Sequence, residues 1–331
     1  MRTITWGIIG AGDVCEKKSA PAMYKLAGSR VKSVMRRDLQ KARDFAFRHK
    51  IEYAFDDASH IFNDPEIDIV YVSTPPSTHA EYALMAARSG KAAYVEKPMA
   101  RTFRECVQMN ETFDQSGLPL FVAYYRRTLP NFLKVRELVD RGAIGEIRTV
   151  EITMNKTIVP DNVARTEENW RVDPGIAGGG YFYDLASHQL DFLDYIFGPV
   201  VRAQGITANH AGRYKAEDVV TAGFQFENGV VGSGTWCFTT AEVAVADMTT
   251  ITGDQGVIRY PSFGEPFVIL ETDRKGKEEF RFDLPEYIQS LLVQTILDEL
   301  RGDGLCPSTG RTAARTNRVL ETIVQNRSES F

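Results

Sequence analysis

Thr3-Ile4-Thr5-Trp6-Gly7-Ile8-Ile9-Gly10-Ala11-Gly12 is an apolar strand pattern that runs directly into a glycine turn, with a helical pattern opening near Cys15. Strand, G-x-G turn and helix in that order are the core of the dinucleotide-binding fingerprint. Gly7, Gly10 and Gly12 are read together as the end of the strand. Gly10 makes the tight turn, and Gly12 lets the backbone approach a pyrophosphate lying at the helix N-terminus. The third fingerprint position packs helix against strand. It is Cys15 here, small enough to pass although neither glycine nor alanine. A glycine-rich turn that holds no ligand is the plainer alternative.

Outward from that turn the pattern repeats. Ile4 to Ile9, Val31 to Met35, Ile67 to Ser73, Ala92 to Val95 and Leu118 to Ala123 read as strands. Helical patterns at Leu39 to Arg48, His79 to Ser89 and Thr102 to Gln115 separate them. Such alternation predicts a parallel α/β sheet covered by helices on both faces. Asn131 to Arg141 reads as a helix and Gly142-Ala143-Ile144-Gly145 as a turn. From Glu146 the texture changes. Glu146 to Asn155, Val219 to Glu227, Val230 to Thr239, Met248 to Thr252, Phe267 to Glu271 and Glu278 to Phe282 read as strands with few helices between them. That predicts a mostly antiparallel sheet, with a hairpin signal at Glu227-Asn228-Gly229. Tyr287 to Arg301 and Thr312 to Val324 are helical by periodicity.

At 331 residues the chain exceeds a typical single domain, so two domains or one large one are expected. With 43% apolar and 25% charged residues it has a globular composition. The net charge of −5 is spread along the chain and argues against a nucleic-acid partner, which needs a basic patch. The basic residues of Lys41 to Arg48 read as one solvated helix face. Cys15, Cys106, Cys237 and Cys306 lie far apart with no CxxC pair, so neither disulfides nor a zinc site are indicated. No signal peptide and no membrane-spanning apolar run precede or interrupt the pattern, and a cytoplasmic location is the expectation.

Several strand ends carry chemistry. NAD-binding chains usually place an acidic residue at the end of the second strand, to bond the ribose 2′-hydroxyl. This chain has Met35-Arg36-Arg37-Asp38. An arginine cannot accept from a hydroxyl but can neutralise a 2′-phosphate, so Arg36 and Arg37 point to NADP(H). Alternatively both are exposed and Asp38 takes the acidic role. In Ser73-Thr74-Pro75-Pro76-Ser77-Thr78-His79, Ser77 or Thr78 can cap the next helix, and Thr74 lies where the strand end meets a cofactor. Glu96-Lys97-Pro98 follows the run Ala92 to Val95. The carboxyl ends of such strands are where ligands bind. A lysine suits proton transfer there, because burial and neighbouring cations lower its pKa.

In the second half, Gly178-Gly179-Gly180 feeds a helix bearing Asp184, His188 and Asp191. Asp184 and His188, at i and i+4, share one helical face. They can bind substrate hydroxyls and relay a proton, or simply satisfy each other. Asp184-x-x-x-His188 is also half a metal site, but no further His or Cys stands at ligand spacing, so no metal is expected.

In this order the pieces resemble the glucose-fructose oxidoreductase / inositol dehydrogenase / MocA-type family of NAD(P)-dependent oxidoreductases. The resemblance rests on the turn Gly7 to Gly12, Thr74-Pro75 with His79, and Glu96-Lys97-Pro98. It continues through Arg127 with Pro130, Gly142-Ala143-Ile144-Gly145-Glu146, and Gly178 to Gly180 followed by Asp184, His188 and Asp191. It spans nearly the whole chain and is specific for the family, much less so for the substrate. It implies an N-terminal Rossmann dinucleotide-binding domain over residues 1–123. A C-terminal α/β domain with a large, mostly antiparallel sheet follows over 124–331, for substrate binding and oligomerisation, and its terminal helices return to the first domain. Pro76 stands where asparagine is common, Arg36 where an acidic residue is common, and the export and cofactor-clasping arm of periplasmic members is lacking. The last departure points away from a permanently held cofactor.

The resemblance also implies roles. The cofactor residues are Gly7, Gly10, Gly12, Arg36, Arg37, Thr74, Pro75, His79, Glu96 and Lys97, with Glu96 on the nicotinamide ribose. Lys97 is the candidate acid/base, His188 orients the same substrate oxygen or shares the proton, and Asp184 takes a substrate hydroxyl. Pro98 is expected to follow a cis peptide bond. Arg127, Trp170 and Arg171 are expected to line the substrate pocket; either arginine could instead pair with a carboxylate. The expected activity is an NADP(H)-preferring oxidoreductase, with NAD(H) possible, acting on a secondary alcohol or carbonyl of a sugar, anhydrosugar or polyol. The alternatives are a trans-dihydrodiol or tetrapyrrole substrate, or a non-catalytic NADP(H) sensor. A homodimer or homotetramer is expected, through the open face of the second sheet, with no membrane partner.

Overall fold

β1 (Ile4–Ile9), β2 (Ser29–Met35), β3 (Tyr53–Phe55), β4 (Ile69–Val72), β5 (Ala92–Val95) and β6 (Leu120–Val122) form one parallel sheet in the order β3-β2-β1-β4-β5-β6. The computed structural model describes residues 2–158, 169–325 and 329–330. Its chain divides into two units: Met1–Tyr125 with Pro285–Ala314, and Arg126–Leu284 with Arg315–Phe331. The parallel sheet belongs to the first. Every residue of β1, β4 and β5 is buried, as expected of strands covered on both faces. Strand order reverses between β1 and β4, the switch point beside which open α/β sheets leave a crevice at their carboxyl ends. The sequence reading missed β3, which has three partly exposed residues at the sheet edge, too short to show a period.

Local signals set the helices of this unit. Asp38 caps Leu39–His49 by accepting from the amides of Gln40 and Lys41. Phe103–Ser116 opens on a capping box between Thr102 and Glu105 and buries Cys106, Met109 and Phe113. Those side chains join Val70, Val72, Val95 and Val122 in one apolar core. The segment Pro285–Ala314 completes the unit. Its helix Ser290–Arg301 buries Leu292, Val293, Ile296 and Leu297, and the Ser308 hydroxyl donates to the Val122 carbonyl at 2.7 Å.

The second unit is built on nine strands: β7 (Ile147–Asn155), β8 (Val200–Ala208), β9 (Val219–Phe226), β10 (Val231–Cys237), β11 (Ala246–Gly253), β12 (Gly256–Tyr260), β13 (Phe267–Thr272), β14 (Gly276–Arg281) and β15 (Glu329–Ser330). Their order is β14-β13-β12-β11-β7-β10-β9-β8-β15. Among the described residues only β7 and β10 pair in parallel; every other neighbour is antiparallel. The expected hairpin joins β9 to β10, with Asn228 accepting from the Val230 amide. β8, β12 and β15 were not anticipated from the sequence. Burial alternates along β9 and β10, so one sheet face is covered. Phe182 meets Trp236 edge-on at 5.0 Å, and Phe192 of the helix Ser187–Phe197 meets Phe132 of the helix Pro130–Asp140 at 4.8 Å. The opposite face shows Thr153, Thr221, Ser233 and Thr235, with Ile206 and Val231 exposed.

Candidate active site

In the first unit the glycine turn forms at the switch point. Gly10 adopts φ +90° and its amide donates to the Met35 carbonyl at 3.0 Å. A Cβ on Gly10 would lie 2.6 Å from Thr74 Cγ2 and 2.7 Å from the Thr74 nitrogen, so the turns after β1 and β4 touch. Both conformation and contact demand glycine there. Gly12 differs: a Cβ there would meet nothing closer than the Gly10 carbonyl at 3.9 Å. The protein's own packing does not need Gly12, and its bare backbone leaves room for a ligand to come close. The residues present therefore fit a dinucleotide pyrophosphate. Gly7 is corrected by the same test. It lies within β1, where a Cβ would strike Ile61 at 2.5 Å, so it serves core packing and not the turn.

Cys15 begins a π-helical stretch, Cys15–Ser19, and is fully buried. The Ser73 hydroxyl donates to the Gly10 carbonyl at 2.8 Å, so the Cys15 thiol, 3.1 Å from Ser73 Oγ, is the donor in that pair. Burial pushes the thiol up to about 12. Cys15 thus packs the helix against the strand end, the task of the third fingerprint position, as an unreactive thiol.

Asp38 is committed to its helix, its Oδ1 accepting from Gln40 at 3.0 Å and Lys41 at 3.1 Å. Among the described residues Arg36 and Arg37 form no ion pair, and Arg36 contributes a positive charge felt at Cys15. After β4 the chain makes the turn Pro76–Thr78. The Thr78 hydroxyl donates to Thr74 Oγ1 at 2.8 Å and does not cap the helix. His79 is buried, with Nε2 2.7 Å from the Thr74 carbonyl and Nδ1 3.0 Å from the Pro98 carbonyl. Burial pushes its imidazole pKa down. His79 was expected at the cofactor; both ring nitrogens instead face main-chain carbonyls, and the side chain ties the turn after β4 to the turn after β5.

That second turn carries Glu96, Lys97 and Pro98, and the Lys97–Pro98 bond is cis. Lys97 is partly exposed, whereas Glu96 is buried. Glu96 Oε1 accepts from the Tyr71 hydroxyl at 2.7 Å and from Gln289 Nε2 at 2.8 Å. Gln289 lies in no motif that the sequence displays.

In the second unit, Trp170 and Arg171 lie on the turn Trp170–Val172, with the guanidinium stacked 4.2 Å from the indole ring centre. Arg171 Nε is 3.5 Å from Asp184 Oδ2, so three expected site residues gather. Asp184 belongs to a π-helical stretch, Phe182–Ala186, that precedes the helix Ser187–Phe197. His188 is buried, edge-on to Phe263 at 5.9 Å. Arg126 stacks on the same Phe263 ring at 4.2 Å, and Asp247 fixes that loop by accepting from the amides of Ser262 and Phe263. No sequence pattern marks Phe263.

Arg127 requires correction. It was expected to line a substrate pocket, but its side chain is 2% exposed and paired with Asp191 in a two-pronged bond, Nε to Oδ2 at 2.8 Å and an Nη to Oδ1 at 2.7 Å. Arg315 holds Asp194 in the same manner at 2.8 and 2.6 Å. Asp191, one turn beyond His188, therefore anchors the helix. Among the described residues no group of three or more His, Cys, Asp or Glu could hold a metal ion, and no helix is long and apolar enough to cross a membrane.

Two family models match the chain. One, described as an oxidoreductase family with an NAD-binding Rossmann fold, covers residues 4–124; the other, a GFO/IDH/MocA C-terminal domain, covers 132–259. An oxidoreductase of Formosa agariphila is 35% identical over 322 residues, 97% of this chain and 98% of that protein. The scyllo-inositol 2-dehydrogenase (NADP(+)) of Bacillus subtilis is 32% identical over 219 residues, 66% of this chain and 58% of that enzyme. A levoglucosan dehydrogenase solved with NADH and levoglucosan superposes with a TM-score of 0.86 at 21% identity, over 98% of this chain and 97% of that one, a likeness of fold.

Proposed function

From the premise that the chain belongs to the GFO/IDH/MocA family of NAD-binding Rossmann-fold oxidoreductases, we propose that it transfers a hydride between NADP(H) and a secondary alcohol or carbonyl carbon of a sugar, anhydrosugar or polyol. One observation carries the reading: three turns meet at adjacent strand ends. Gly10 abuts Thr74, and the buried His79 ring sits between the Thr74 and Pro98 carbonyls and donates to one of them, which sets Lys97 beside the glycine turn's neighbour.

Gly12, Thr74 and Pro75 hold the phosphates and nearby ribose, and Glu96 bonds the nicotinamide ribose. When bound, the nicotinamide supplies or accepts the hydride. Lys97 gives a proton to the developing alkoxide during reduction and takes it from the alcohol during oxidation. In the second unit Asp184 and His188 take substrate hydroxyls, with Trp170 and Arg171 beside them. Arg36 supports NADP(H), because it has no ion-pair partner among the described residues while Asp38 lends Oδ1 to its helix cap. The relative named for NADP(+) supports the same choice. The exposed Thr- and Ser-rich sheet face, with Ile206 and Val231 upon it, is the surface proposed for pairing with a second copy.

The test is a panel of sugars, anhydrosugars, ketoses and polyols with NADP+/NADPH and NAD+/NADH, followed by the absorbance of the reduced nicotinamide. Turnover of a polyhydroxy compound with NADP(H) preferred is expected. A clear NAD(H) preference overturns the role of Arg36, and tight cofactor binding without turnover across the panel favours a sensor.

A further inference from the structure

Gln289 stands immediately before the helix Ser290–Arg301, far in sequence from every cofactor motif, and is 1% exposed within the first unit. Its Nε2 donates to Glu96 Oε1 at 2.8 Å, and its own Oε1 accepts from the Tyr94 hydroxyl at 2.7 Å. Tyr71 gives Glu96 Oε1 a second donor at 2.7 Å, and the Lys97 amide reaches Oε2 at 3.2 Å. Tyr71 and Tyr94 stack at 5.0 Å, so one ring pair brings one hydroxyl to Glu96 and the other to Gln289.

The direction of these bonds is fixed. Burial, and then the charge of Glu96, push both phenols above their ordinary value, so each keeps a proton to give. A carboxylate only accepts, so Gln289 turns its amide NH2 toward Glu96 and its carbonyl end toward the Tyr94 hydroxyl. A carboxylate oxygen has about two lone-pair directions, and both on Oε1 are filled. Oε2 carries one longer main-chain bond and retains capacity for another donor.

We propose that Gln289 is a positioning residue for cofactor binding: it locks Glu96 through Oε1 so that Oε2 is presented to a hydroxyl of the nicotinamide ribose. This rests on the reading of Glu96 given above. A neutral amide suits the task, since a lysine there would neutralise Glu96 and a carboxylate would repel it.

The experiment measures the affinity of the full chain for NADPH, by its fluorescence, and for 2′,5′-ADP, the adenosine half alone, by competition. Gln289→Met keeps side-chain length but removes the NH2 donor. It should weaken NADPH about tenfold and leave 2′,5′-ADP within about twofold, as expected for loss of one bond to a charged acceptor. In a Glu96→Gln background the same replacement should change NADPH binding by less than about twofold. Equal weakening of both ligands, or an undiminished loss in that background, overturns the proposal and makes Gln289 a packing residue. If Glu96→Gln alone binds NADPH like the parent, the reading of Glu96 fails and the proposal with it. If that variant is weak and Gln289→Met remains additive, only the proposal fails. Should Gln289→Met not fold, Tyr94→Phe keeps the ring and its stack while releasing Gln289. A selective loss of about threefold for NADPH then supports the proposal, and no loss overturns it.

Discussion

The turns after β1, β4 and β5 and the helix Ser187–Phe197 both carry candidate functional groups, but opposite physics holds them in place. In the first unit the site is largely main chain: a positive-φ glycine, a bare backbone at Gly12, and carbonyls of Thr74 and Pro98 bridged by one histidine. Neutral donors orient its one buried carboxylate. In the second unit charged side chains lie on a buried helical segment and face arginines, Asp184 with Arg171, Asp191 with Arg127, and Asp194 with Arg315 and, at 3.6 Å, Arg127. Changes at the strand ends should therefore damage binding before stability. Changes on the helix should damage stability first.

The largest expected effect breaks a buried pair. Asp191→Ala removes the two-pronged partner of the Arg127 guanidinium and leaves it the longer contact with Asp194 at 3.6 Å, and should cost about 3 kcal/mol of unfolding free energy. Replacing Arg127 by Met and Asp191 by Leu together should recover most of it. Denaturant titration checks both, and an Asp191→Ala protein as stable as the parent erases the contrast between the units. The two glycines divide the first unit in turn. Gly10→Ala forces a non-glycine residue to φ +90° against Thr74 and should cost about 1–3 kcal/mol. Gly12→Ala should hold its melting temperature, yet lose about tenfold in NADPH affinity, roughly 1.4 kcal/mol. If Gly12→Ala instead melts early with affinity intact, the open backbone there is structural.

Arg36→Asp should weaken NADPH about tenfold while sparing or improving NADH, as measured by paired fluorescence titrations. The smallest effect concerns Glu16, which follows the glycine turn. Arg48, joined by His49, pulls the Glu16 carboxyl below its ordinary value. A depressed folded pKa means stability present above the unfolded value and lost as pH falls through the folded one. Melting curves below about pH 4.3 should show a loss under about 1 kcal/mol that Glu16→Gln abolishes.

The contrast between the units also governs what the sequence discloses. Glycine turns and Glu96-Lys97-Pro98 are legible because main-chain geometry and strand ends impose residue types over a few adjacent positions. The parallel sheet with helices on both faces follows from the alternation of strand and helix. Gln289 is silent because it meets Glu96 only after the chain has returned from the second unit, and one glutamine before a helix carries no pattern. Arg127 was misassigned for a related reason: sequence cannot distinguish an arginine facing a ligand from one facing Asp191, since both need the same fork of donors. Short or edge strands such as β3 and β15 display too few residues for alternation to register, and β8 beyond Val200 buries only the small Ala203 and Gly205 while exposing Ile206, so no apolar period stands out.

Whether Lys97 moves the proton in a nicotinamide-dependent reaction is decided by comparing Lys97→Met with the parent. Turnover on the best substrate of the panel and the dissociation constant for NADPH are recorded side by side. Lys97→Met should lower kcat/KM about 10²–10⁴-fold with NADPH affinity unchanged within about twofold. Turnover that survives the substitution at parental level would contradict it.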